Sequence, residues 1–191
     1  QPARRYAVVV ASELKRPTKV EARFLGGLRT RPGGADYIVI THADFLTEAQ
    51  RLAEWRGTDD RFGRPPETAV IDIGEIYDDF SWGLFDPTAI RDFLKHAFKT
   101  WEPAPAFVVL LGDGTYDYRN NSAASQGNWI PPYEELESTY DEWYTRVAGA
   151  DDVADIAIGR LSVQTAAEAE TVVEKLISYD RRPEFGSWQG R

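Results

Sequence analysis

Four short apolar runs constrain what this chain can fold into more than any other feature. They are DYIVI (36–40), TAVIDI (68–73), AFVVLL (106–111) and DIAIG (155–159). Each is rich in β-branched residues, and none alternates cleanly between apolar and polar, the pattern of strands buried on both faces. Helical patterns fall between them. Residues 44–55 carry Phe45, Leu46, Ala49, Leu52, Ala53 and Trp55 at mostly helical spacing. Asp86-Pro87 reads as an N-cap followed by the first helical position, opening a helix with Ile90, Phe93, Leu94, Ala97 and Phe98 as its apolar stripe. Thr165 with Glu168 reads as a capping box for a last helix running to about Tyr179. Buried strands joined by helices predict an α/β fold with a parallel sheet flanked by helices.

Ahead of this pattern, residues 4–11 and 20–25 read as a short β segment. Gly26, Gly27, Pro32, Gly33 and Gly34 read as a linker. The expected division is therefore residues 1–34 as β segment and linker from a preceding region, and 35–191 as the main unit. The chain carries no Met and starts at Gln1, so it reads as a processed product or an excised segment. No secretory signal pattern opens it, which leaves export open. No apolar run approaches the ~18 residues of a membrane span. A net charge of −9 argues against binding nucleic acid, which needs clustered Lys and Arg. With no Cys, the chain holds no disulfide, no thiolate metal site and no cysteine nucleophile.

In parallel sheets, ligands sit beyond the carboxyl ends of the strands. The residues there are His42 and Asp44, then Gly74 and Glu75, then Gly112 and Asp113. The stretch LLGDGTYDYRN (110–120) places Asp113 at a strand mouth, with Asp117 beyond it. Such carboxylates can hold a hard cation, accept a phosphoryl group, orient a base, or simply cap the turn. A phosphotransfer role for Asp113 would call for a Lys at a later strand end, and none fits near 155–159. His42 reads as a turn residue or one facing a site, and His96 as solvent-facing. The aromatic residues of 129–144 read as packing of the long 112–133 loop, or as a platform for sugar or peptide. The loop VAGADDVAD (147–155) gathers Asp151, Asp152 and Asp155 beside Gly149. It reads either as a solvated acidic turn or as an oxygen-rich Ca²⁺ loop.

Taken in order, several strings carry a resemblance. They are IYDDFSWGLFDPTAIRDFLKHAF (76–98), FVVLLGDGTYDYRN (107–120), IPPYE (130–134), STYDEWYTRVAG (138–149) and DIAIGRLSVQTAAEAETVVEKLISYD (155–180). Over about 36–191 the chain resembles the gingipain family of cysteine peptidases. The GDGTYDYRN string, with Phe185, Gly186 and Trp188, is most similar to its type IX secretion system sortases. The resemblance implies a caspase-like fold, of which this chain is the N-terminal half. It implies a Cys–His site in the later half, within motifs absent here, so no catalytic residue carries over. It implies a structural Ca²⁺ held by Asp151 and Asp155 with the carbonyls of Ala148 and Val153. It further implies a C-terminal half that docks on an exposed apolar edge or face, protein or peptide substrates, contact with secretion-system components, and a secreted or bacterial cell-surface location. A catalytically dead binding or structural module is the alternative.

Overall fold

A computed structural model describes residues 9–17, 20, 22, 25–60, 63–118, 121–122, 127–136, 138–183 and 186. Strand β1 (Tyr37–Thr41) leads through a 3₁₀ turn (Ala43–Phe45) into α1 (Leu46–Arg56). Strand β2 (Thr68–Asp72) runs directly into α2 (Ile73–Ser81), and α3 (Thr88–Thr100) precedes β3 (Phe107–Leu111). A long loop carries a small antiparallel hairpin, β4 (Glu134–Glu135) and β5 (Ser138–Thr139), and then a 3₁₀ turn (Glu142–Thr145). Strand β6 (Ala157–Leu161) and α4 (Ala166–Arg181) follow.

The main sheet has the order β2-β1-β3-β6, and every pairing in it is parallel. Side chains alternate across a strand, so each strand feeds two cores. Ile38 and Ile40 of β1, Ala69 and Ile71 of β2, and Val108 and Leu110 of β3 face α2 and α3, where Ile76, Ile90, Phe93, Leu94 and Ala97 meet them. Val39 and Leu111 face α1 and α4, against Ala49, Leu52, Ala53, Val173 and Ile177. The parallel α/β reading of the sequence is thus the fold observed.

Several local expectations change. The run 68–73 ends in helix: Asp72 caps α2, its Oδ1 accepting from Gly74 N at 2.6 Å. Gly74 and Glu75 therefore belong to the first turn of α2. The run 155–159 shifts to Ala157–Leu161, and this strand, at the sheet's edge beyond β3, is not buried on both faces. His96 is half-buried, with its ring 5.8 Å from that of Phe80. Asp86 Oδ1 accepts from Thr88 N at 2.9 Å, although Pro87 rather than Asp86 occupies the N-cap position of α3; the Thr165 cap agrees with expectation, its Oγ1 accepting from Glu168 N at 3.2 Å. The reciprocal arm of this second cap reaches Gln164 N rather than Thr165 N, at 2.7 Å. Of the β segment read at 4–11 and 20–25, most residues lie outside those described. Val9 and Val10 are not in a strand, and residues 11–13 form a 3₁₀ turn.

Asp36 ties the entrances of β1 and β2. Arg64 grips both of its oxygens, at 2.8 and 2.7 Å, and Glu67 N donates to Oδ2 at 2.8 Å. Desolvation pushes the Asp36 carboxyl upward, but the Arg64 guanidinium and the Glu67 N–H together outweigh it and hold the pKa below its ordinary value. A lowered native pKa contributes stability that is full above the unfolded value and is lost as pH falls through the native one. Urea denaturation from about pH 7 to about pH 3 should show Asp36→Asn costing stability near neutrality, with the cost shrinking below about pH 4. A cost independent of pH would count against this role.

Candidate functional site at the carboxyl ends of the strands

The chain leaves β1 toward β2 and leaves β3 toward β6, so the topological switch point lies between β1 and β3. Trp129, returning from the long loop, closes that crevice. Its N–H and that of Ile130 both donate to the Asp113 carbonyl, at 3.0 and 3.1 Å. Its indole Nε1 donates to Asp44 Oδ2 at 3.2 Å, and its ring lies 5.8 Å from Phe45. Gly112 makes this possible. Its φ is +148°, and an added Cβ would stand 3.0 Å from Ile130 Cγ1 and 3.1 Å from Trp129 Cβ. His42 has the turn role: its Nδ1 accepts from Asp44 N at 3.2 Å and caps the 3₁₀ turn after β1.

With the crevice filled, open space moves sideways to the mouths of β3 and β6. A cleft of about 380 Å³ lies there, lined by Asp113, Thr115, Tyr116, Thr139, Asp141 and Arg160 among others. Arg160 is its hub. Nε and Nη2 grip the two oxygens of Asp141 at 2.7 and 2.6 Å, a bidentate pair. Nη1 donates to the carbonyls of Gly112 at 2.8 Å and Ile130 at 2.7 Å, and Nη2 reaches Pro131 O at 3.5 Å. One side chain thus ties β6 to the exit of β3, to the return of the long loop and to the segment after β5. Asp113 is held from the side by Gln164, whose Nε2 donates to Oδ2 at 2.8 Å. Behind the cleft, buried Tyr144 donates to Pro131 O at 2.8 Å, and desolvation pushes its phenol well above the ordinary value. The aromatic residues of this region serve packing: Tyr133 stacks on Trp143 at 3.6 Å, with the Arg91 guanidinium 4.4 Å from the Trp143 ring centre.

The residue pattern marks Asp113 but not its partner Gln164, nor the Asp141–Arg160 pair. A signal was there. A charged residue inside an otherwise apolar strand, as in AIGRL, has to find a buried partner. Among the described residues, the lining of the cleft includes no lysine, so the Asp113 phosphotransfer reading finds no support there.

The acidic loop lies elsewhere, before β6. Asp155 Oδ2 accepts from Val147 N at 2.8 Å and Ala148 N at 2.7 Å, and Asp151 Oδ1 from Val153 N at 3.2 Å. Among the described residues, the second oxygen of each carboxylate takes no hydrogen bond. Arg146 pairs with Asp152 at 3.0 Å rather than with either of them. Among the described residues, no three His, Asp or Glu side chains gather to hold a metal. A cation here would need main-chain carbonyls as well, and those of Ala148 and Val153 lie in the same loop. Donor chemistry, all of it hard oxygen, fits Ca²⁺.

Comparison with known proteins agrees with this architecture. The description of peptidase family C25 matches residues 30–191. Among solved structures, dimeric latent PorU from Porphyromonas gingivalis aligns with 28% identity and a TM-score of 0.66, over 82% of this chain and 17% of that one. The complex of Porphyromonas gingivalis RgpB pro- and mature domains aligns with 20% identity and a TM-score of 0.55, over 75% of this chain and 28% of that one. The Arg-specific cysteine proteinase gingipain R (RgpB) aligns with 21% identity and a TM-score of 0.54, over 77% and 28%. The last two likenesses speak for the fold alone. The chain spans less than a third of each of these structures. No curated protein matches it.

Proposed function

The chain belongs to peptidase family C25, and from that premise we propose that it forms the N-terminal, non-catalytic part of a cysteine peptidase domain whose nucleophile lies outside these residues. The observation that carries this is the pairing of a family match over 30–191 with a sequence that has no Cys. Such a part supplies half of the sheet and the loops at its carboxyl ends. The rest of the domain pairs along β6. That strand is the least buried of the main sheet, and Gly159 has open space where a side chain would stand. Likeness to PorU supports a finer reading, in which the whole protein is an exported or cell-surface bacterial sortase. It would remove a sorting signal from secreted cargo through a thioester, pass the cargo to an acceptor, and work beside secretion-system components.

The longest form encoded by the gene should hydrolyse unfolded casein, and iodoacetamide should abolish this, whereas residues 1–191 alone should hydrolyse none. Hydrolysis that survives thiol alkylation, or that residues 1–191 achieve unaided, would overturn the proposal. A longest form without any hydrolysis would favour the binding-module reading.

Ca²⁺ is proposed as a structural ion of the 148–155 loop, held by Asp151 and Asp155 with the carbonyls of Ala148 and Val153. When bound, it would neutralise the carboxylates and brace the entry into β6. At a concentration of 100 times its Kd it would stabilise by about 2.7 kcal/mol, which in a chain of this size is a rise in Tm of about 5–10 °C. Scanning calorimetry should show that rise in millimolar Ca²⁺, its reversal by EGTA, and its loss in Asp151→Asn. Identical melts with and without Ca²⁺ would refute the site.

A further inference from the structure

The donors of Arg160 are spent inside the protein. A guanidinium has five N–H groups. Here they serve Asp141, Gly112 O, Ile130 O and, at longer range, Pro131 O. Among the described residues, Arg160 is the cation lining the cleft, and it has nothing left to offer an anionic ligand. What remains on its walls is a surplus of acceptors. Among the described residues, the Asp113 carboxylate is engaged only through Oδ2, by Gln164, and the hydroxyl of Thr139 stands nearby, whereas that of Thr115 already accepts from Asp117 N at 3.2 Å. Tyr116, at 70% exposure, adds an aromatic surface at the rim. Gly114 lets the wall close up to the returning loop, since an added Cβ would lie 2.2 Å from Ile130 O.

We propose that this cleft is a subsite for an extended polypeptide segment that presents N–H donors to Asp113 and packs on Tyr116. Arg160 acts as a positioning residue that shapes the wall without touching the peptide. The inference rests on the peptidase reading and adds to it a place on this chain where the substrate lies. Among the described residues, the cleft holds no uncommitted cationic donor for a phosphate or carboxylate group.

The test is direct binding, which needs no catalysis. A fluorescein-labelled, unfolded β-casein fragment is titrated with the longest form of the protein, its thiols alkylated, and followed by anisotropy. Tyr116→Ala and Asp113→Asn should each weaken binding by about tenfold, the loss of a contact worth about 1.4 kcal/mol. Tyr179→Ala, at a half-exposed tyrosine on α4, should bind like the wild type. Millimolar inorganic phosphate should not displace the probe. Because Tyr116 is exposed, its variant tests the cleft without endangering the fold. Wild-type affinity in both cleft variants, displacement by phosphate, or no binding by the wild type would each overturn the proposal. If the cleft variants bind weakly but the wild type hydrolyses nothing, the peptidase reading fails and the subsite stands.

Discussion

Replacing Arg160 with Met should cost about 3–5 kcal/mol, the range for removing one partner of a buried, hydrogen-bonded ion pair. The side chains of Arg160 and Asp141 are 13% and 26% exposed, so solvent screens the pair only in part. The variant leaves the Asp141 carboxylate and the carbonyls of Gly112 and Ile130 without their shared donor. In a domain of this size the loss is a fall in Tm of about 10 °C. Arg160→Lys, with one charge but no fork, should recover only part of it. The double variant Arg160→Met with Asp141→Leu should be more stable than Arg160→Met alone, since it removes the orphaned charge. Urea denaturation of the three variants checks this. A cost below about 1 kcal/mol for Arg160→Met would mean that the guanidinium is a surface decoration rather than the hub of the cleft.

Truncating Phe93 to Ala should cost a similar 3–5 kcal/mol, for a different reason. Phe93 is fully buried on α3 and meets two rings edge-on, Phe80 at 5.7 Å and Trp101 at 5.5 Å. Its removal combines lost transfer energy with a cavity that the rigid β1–β3 ladder cannot collapse to fill. Phe93→Leu, which keeps most of the volume, should cost far less. Calorimetric melts would separate the two. Equal losses for Ala and Leu would argue that ring stacking, not volume, carries the energy.

The two predictions differ in how far they could be read before the fold was known. Phe93 sits on an apolar stripe with Ile90, Leu94 and Ala97, and such a stripe marks a core face through local periodicity alone. Asp113 was visible as a carboxylate at a strand mouth, yet its partner was not, and neither was the pairing of Asp141 with Arg160. Arg160 lies 19 residues from Asp141 and Gln164 lies 51 from Asp113, so no local pattern links them. Helix α2 was missed because TAVIDI runs on without a break residue, and only the Asp72 cap divides strand from helix. The hairpin β4–β5 was missed because two residues per strand leave no alternation to read.

The sequence by itself determined the parallel α/β architecture, the helix faces that line its two cores, the absence of a thiol nucleophile and the family resemblance. These follow from periodicity, cap chemistry and composition, all short-range properties of the chain. Only the tertiary structure decided that Trp129 closes the switch-point crevice, that the open cleft lies instead between β3 and β6, and that Arg160 is consumed in holding it. Those outcomes depend on which distant groups are brought within hydrogen-bond reach. That is set by the strand order, in which β3 lies between β1 and β6, and by a long loop whose return path no local preference dictates.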